Sequence, residues 1–219
     1  MALRPETVSL LNNRGLAYLR RGQPGDAERA IADLTIYLTA LPDNAVVYVN
    51  RGAAYFQLGG PENLARAVDD FGQALVLKPD APEAYFNRGL AYTRLDEPEK
   101  WRADFEHVLA LQPDHSGVYN AFCWAYALDR QPETALPYCE RAVALDPTGP
   151  GRDSRGIVYA ELGRAAEAIS DLEAYLNALR QQNSSVYARY AAKREAWIAA
   201  LRAGRDPFDR VTLEELRGE

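Results

Sequence analysis

Two histidines and two cysteines hold most of the metal-binding and nucleophilic potential of the chain, and their spacing limits what they can do. His107 and His115 lie eight residues apart, not at the i, i+4 spacing that puts two imidazoles on one helical face for a metal. Both are expected at the solvent. Cys123 and Cys139 lie 16 residues apart; a buried reduced pair packing as small hydrophobes is the expected state, with a redox switch as the alternative. The sequence has no Gly-rich phosphate loop, nucleophile elbow or zinc spacing. No catalytic residue, metal ligand or cofactor is therefore expected, and the chain is read as non-enzymatic.

Charge and hydropathy narrow the partners. A net charge of -6 with no basic run argues against a nucleic-acid backbone. The longest apolar run, the eight residues Ala121 to Leu128, is well short of the roughly 18 needed to span a membrane. The start, M-A-L-R-P-E-T, lacks the apolar stretch of a secretory leader. A cytoplasmic protein with no membrane partner is the expectation.

What positions any site is a repeat. N-R-G-x-A-Y or a near relative occurs at Asn13 to Tyr18, Asn50 to Tyr55 and Asn87 to Tyr92, at intervals of 37 residues, and returns as S-R-G-I-V-Y at Ser154 to Tyr159. A divergent copy, A-F-C-W-A-Y, occupies Ala121 to Tyr126. Each is followed by a short break and a second periodic stretch, and four of these stretches end in Pro42, Pro79, Pro113 and Pro147. Leu11, Gly15 and Tyr18 fall on one helical face, as do Ala30, Leu34, Tyr37 and Leu41, so each unit predicts two antiparallel helices. Glycine lets the partner backbone approach, and proline stops the second helix.

With small residues at Gly15 and Ala30, tyrosine at Tyr18 and proline at Pro42, these units resemble tetratricopeptide repeats. Five are read, at about 8–44, 45–81, 82–115, 116–148 and 149–181. The resemblance implies an all-α, right-handed α-solenoid of antiparallel helix pairs. The first two units exceed the usual length of about 34 residues by three, which lengthens the second helix at its start (Asp26 to Arg29; Pro61 to Arg66). Trp101 stands where a small residue is expected. A capping helix over 184–203, with Tyr187, Tyr190, Ala191, Ile198 and Leu201 on one side, and a tail over 204–219 complete the chain. Thr212 to Arg217 of that tail is expected to be helical.

Function has to come from surfaces. Asn13, two residues before Gly15 and so about 200° around the helix, points into the inner wall, as do Asn50 and Asn87. Such a ladder can hold the backbone of an extended peptide through paired donors and acceptors; an incidental role is the alternative. Phe56, Phe86, Arg94, Asn120 and Trp124 are the further candidate peptide-binding residues. Family members that clamp acidic chaperone tails use lysine and arginine beside asparagine; here only Asn50 matches, and Glu83 opposes such a tail. Arg14, Arg51, Arg88 and Arg155 precede the small residue of the first helix, and Asp33, Asp70, Asp104 and Asp171 hold one place in the second. Unit four replaces both with Phe122 and Tyr138, which suggests contact. The resulting expectation is a protein-interaction scaffold that takes an extended segment of a partner in its concave groove. The alternative is a self-assembling module, a weak homo-oligomer docking through its terminal helices or tail.

Overall fold

The computed structural model describes residues 5–182 and 185–217. Residues 1–4, on which the leader reading rests in part, Ser184 at the expected start of the cap, and the last two residues of the tail lie outside them. Described residues form helices joined by short turns, with no strand among them. The all-α solenoid fold of helix pairs is the one that the repeat predicts. Among the described residues no helix is long and apolar enough to cross a membrane.

The first compact unit, Met1–Pro113, contains α1 (Pro5–Arg21), α2 (Asp26–Ala40), α3 (Ala45–Leu58), α4 (Pro61–Leu77), α5 (Pro82–Arg94) and α6 (Pro98–Leu111). Proline opens α4, α5 and α6, where a missing amide costs nothing because the first turn has no intrahelical acceptor. Pro42, Pro79 and Pro113 each stand one residue beyond a helix C-cap. Helices pack within pairs, between successive pairs, and first helix on first helix, α1 on α3 and α3 on α5. Close approach at the repeated glycine is real: a Cβ on Gly52 would lie 2.7 Å from the Phe71 ring and one on Gly89 2.5 Å from that of Phe105. The extra residues of the second unit lengthen α4 to 17 residues against 14 in α6. In α2 the added start is anchored by Asp26, 1% exposed and held by Arg21 and Arg29. Trp101 is buried against Phe105, so the unexpected ring fills core space.

The second compact unit, Asp114–Glu219, contains α7 (Ser116–Leu128), α8 (Pro132–Leu145), α9 (Gly151–Glu161), α10 (Ala165–Gln181), α11 (Ser185–Arg202) and α12 (Arg210–Leu216). One buried cluster runs from Cys123 and Leu128 through Ile157 and Leu172 to Trp197, Phe208, Leu213 and Leu216. Helix α11 packs on α10, and Ala191, Ile198 and Leu201 are buried as its stripe requires. The tail helix begins two residues earlier than Thr212, because the Asp209 side chain caps it by accepting from Thr212 N–H at 2.8 Å.

The repeated charges meet as their spacing suggests. Arg51 grips Asp70 through two hydrogen bonds of 2.8 and 2.7 Å, and Arg88 does the same to Asp104. Arg14 holds Asp33, and Arg155, joined by Arg152, holds Asp171. In α7 and α8 the pair is replaced by stacked rings of Phe122 and Tyr138.

The cysteines correct one expectation. Cys123 and Cys139 are fully buried, as expected, but joined in a disulfide and not reduced. Cys123 stands where the other pairs carry glycine, and Cys139 where they carry Leu34, Phe71, Phe105 or Leu172. These are the two points of closest helix approach, and at a Cα separation of 4.9 Å the side chains are within bridging range.

Candidate protein-interaction surfaces

The packing of α1, α3 and α5 against one another aligns residues one repeat apart, and hydrogen bonds mark that register. Asn50 Nδ2 donates to Asn12 Oδ1 at 3.0 Å, Gln57 Nε2 to the Leu19 carbonyl at 3.5 Å, and Arg94 to the Phe56 carbonyl at 3.2 Å, each across 38 residues. A wall of first helices is thus tied laterally by polar side chains.

On that wall the candidate residues have unequal access. Asn13 is exposed, whereas Asn50 and Asn87 are half-buried. One amide hydrogen of Asn50 is engaged by Asn12, which leaves its second N–H and its oxygen for other contacts. Phe56 and Arg94 are brought together, the guanidinium lying 5.0 Å from the ring centroid. Phe86 leans toward the core of its own pair, 5.9 Å from the Phe105 ring. Asn120 and Trp124 belong to the second unit. There Asn120 Oδ1 accepts from the Ser154 hydroxyl at 2.8 Å, and Trp124 packs against the core cluster.

The histidines do not form a site. His107 is exposed and stacks on Tyr85, 4.1 Å between centroids. His115 is not merely solvated, since its Nδ1 accepts from Val118 N–H at 3.2 Å and caps α7. No cluster of potential metal ligands occurs among the described residues.

Two features of the second unit escaped the sequence reading. Arg194 of α11, 4% exposed, reaches Asp153 of α9 at 2.7 Å and lies against the Tyr190 and Trp197 rings. A charge on the apolar side of a predicted cap was the available signal. The second is Glu161, the last residue of α9. Both its carboxyl oxygens are buried without a hydrogen-bond partner. Burial pushes its carboxyl up to about 7; Arg130 opposes the shift, and Asp206 and Glu133 add to it.

Within the second unit the tail lies against α7 and α11. Phe208 of the 203–209 connection meets Trp197 of α11 edge-on at 4.9 Å, and Arg217 donates to the Leu128 carbonyl at 3.0 Å.

Comparison with known proteins agrees with this geometry. A TPR repeat model matches residues 62–96 and a tetratricopeptide repeat model matches 82–115. No curated protein matches the chain. Among solved structures, a thermophilic TPR protein of Thermus thermophilus is 15% identical, covering 90% of this chain and 99% of that one with a TM-score of 0.69. A tetratricopeptide repeat protein of Parabacteroides merdae is 19% identical, covering 98% and 84% with a TM-score of 0.66. MamA from residue 41 to its end, of Desulfovibrio magneticus RS-1, is 22% identical, covering 83% and 100% with a TM-score of 0.64. These structures share the fold. The repeat motifs and the two family matches place the chain among the tetratricopeptide repeat proteins.

Proposed function

We propose that this chain is a non-enzymatic protein-interaction scaffold whose first unit binds an extended segment of a partner along α1, α3 and α5. The observation that carries the reading is the lateral register of that wall. Hydrogen bonds across 38 residues from Asn50, Gln57 and Arg94 hold same-place residues of neighbouring helices side by side. Asn13, Asn50 and Asn87 then recur in a row, each offering a donor and an acceptor to a peptide unit. Phe56, backed by Arg94, supplies an apolar anchor beside them, the kind of residue that dominates binding energy. In this reading the five helix pairs are the repeats and α11 is the cap.

Binding of selected peptides tests this. Peptides drawn from an unstructured library by the unaltered chain should bind Asn50→Ala/Asn87→Ala more weakly by roughly 2 to 6 kcal/mol, with helix content unchanged. Backbone N-methylation of the same peptides should weaken them comparably. Unaltered affinity in the double variant removes the ladder.

Self-assembly through the chain ends keeps support only at α1, where Leu10 is 65% exposed. The C-terminal tail is docked on its own chain.

A further inference from the structure

The tail after α11 is built to dock. Gly204, at φ +69°, ends α11. Asp206 Oδ1 then accepts from Phe208 N–H at 2.8 Å, a local turn that directs the ring inward. Leu213 and Leu216, three residues apart on α12, are 2% and 0% exposed, while Val211 on the opposite side is 63% exposed. A helix of seven residues does not persist alone in water, so α12 owes its form to the surface beneath it.

That surface is the apolar face formed by α7 and α11, with the end of α9 at its edge. Leu128, Trp197 and Leu201 share one buried cluster with Phe208, Leu213 and Leu216 of the tail, so release of the tail from Phe208 to Leu216 would uncover apolar surface of the kind that marks an interaction site. The fit of the tail is good in its apolar part and where Arg217 meets Leu128 and Asp129, and poor at Glu161. Glu161 has both carboxyl oxygens buried with no donor, and the charged residue that the tail brings near it is Asp206, of the same sign. A buried acceptor without a donor is a strongly unfavourable element of an interface. A better ligand would keep the aromatic and the two leucines and present a cation to Glu161.

We propose that this face is a second binding site, for a short amphipathic partner helix carrying an aromatic residue, two leucines at i, i+3 and a lysine or arginine directed at Glu161, and that α12 closes it in cis until such a helix displaces it. This site lies wholly within the second unit. It does not rest on the asparagine row of α1, α3 and α5.

The test uses the full chain with its own tail loosened, Leu213→Ser/Leu216→Ser. Two synthetic peptides of residues 205–219 are the probes, one with Asp206→Ala and one with Asp206→Lys, so that both lack the acceptor for Phe208 N–H and differ in the cation alone. Trp197 fluorescence reports occupancy, because Phe208 lies against that ring. The loosened chain is expected to bind both, the lysine peptide at least tenfold more tightly at pH 8. Glu161→Gln in the loosened chain should abolish that preference. The unaltered chain should bind the lysine peptide at least tenfold more weakly than the loosened one, since its own tail competes. A loosened chain of unchanged core helix content that takes up neither peptide, or takes up both equally, overturns the proposal.

Should the loosened chain lose helices beyond α12, amide hydrogen exchange on the unaltered chain decides. Amides of α12 exchanging at least tenfold faster than those of α7 and α11 show that the tail opens by itself. Exchange of all three together overturns displacement. An unaltered chain that is dimeric, and becomes monomeric when the tail is loosened, would place α12 on a second copy and also overturn closure in cis.

Discussion

Phe122 stacks on Tyr138 with ring centroids 4.9 Å apart, at the two places where Arg51 and Asp70 form a two-pronged ion pair in the second helix pair. The same helix-to-helix gap is thus bridged by charge in four pairs and by aromatic area in one. An apolar solution at an ionic position is physically reasonable, because a buried ion pair gains little over hydrophobic residues of similar size. Breaking such a pair is another matter.

Arg51→Ala strands Asp70, whose side chain is 7% exposed, while Arg51 itself is 19% exposed. The loss should be about 3 kcal/mol, at the lower end for a buried pair. Copying the fourth pair, Arg51→Phe with Asp70→Tyr, should recover part of it, with non-additivity of roughly 0.5 to 3 kcal/mol in a double-mutant cycle. Additive effects in urea unfolding would mean that the two side chains do not stabilise one another.

Exposure grades the series. The Arg14 side chain is 59% exposed, so water screens its pair with Asp33 far more than the pairs of Arg51 and Arg88. Arg14→Ala should therefore lower Tm less than Arg51→Ala or Arg88→Ala, and salt should weaken the Arg14 pair most. An equal fall in Tm for all three would remove burial as the controlling variable.

The fold was legible because its determinants are local and periodic. Gly15, Gly52, Gly89 and Gly156 mark close helix approach, Pro42, Pro79, Pro113 and Pro147 mark helix ends, and both recur at nearly constant intervals. The Arg–Asp contacts followed from the same register, since unit four replaced both members together. What was missed lies outside the repeat. Arg194 and Asp153 are 41 residues apart and meet only because α11 packs beside the last pair. Glu161 is an ordinary helix-end glutamate in sequence, and only the packing around the end of α9 removes water from it. The disulfide was missed for another reason: the spacing of Cys123 and Cys139 placed both in the core but did not determine their oxidation state. On the candidate peptide wall, the row of asparagines was legible from the 37-residue interval. The hydrogen bond that engages part of Asn50 was not, because it depends on side-chain reach between helices.

Joining Cys123 to Cys139 closes a loop with a sequence separation of 16 residues. In the chain-entropy account a loop of this size restrains the unfolded chain by about 3 kcal/mol. Cys123→Ala/Cys139→Ala should lower stability by up to that amount, and reductant should destabilise the unaltered chain but not the variant. Thiol titration in denaturant checks the premise, with no reactive thiol before reduction and two after it. Two titratable thiols in oxidised, denatured protein would show that the bridge does not form.

Glu161 gives the chain a pH dependence whose sign is opposite to that of a salt-bridged carboxylate. Its carboxyl is raised by burial from an ordinary 4.5 to about 7 in the folded protein. Below the ordinary value both folded and unfolded chains hold the proton, and the contribution to stability is fully present. Between 4.5 and 7 the folded chain keeps a proton that the unfolded chain has released, so stability falls as pH rises, and above 7 the loss is complete. Arg130 moderates the effect, while Asp206 and Glu133 sharpen it. Glu161→Gln retains the shape and removes the ionisation. Its Tm relative to the unaltered chain should therefore increase steadily from pH 4.5 to 7 and level off above that. Asp206→Asn, which keeps an acceptor for Phe208 N–H, should give a smaller rise over the same range. A Glu161→Gln difference that stays flat with pH would mean that water reaches the Glu161 carboxylate in the folded chain.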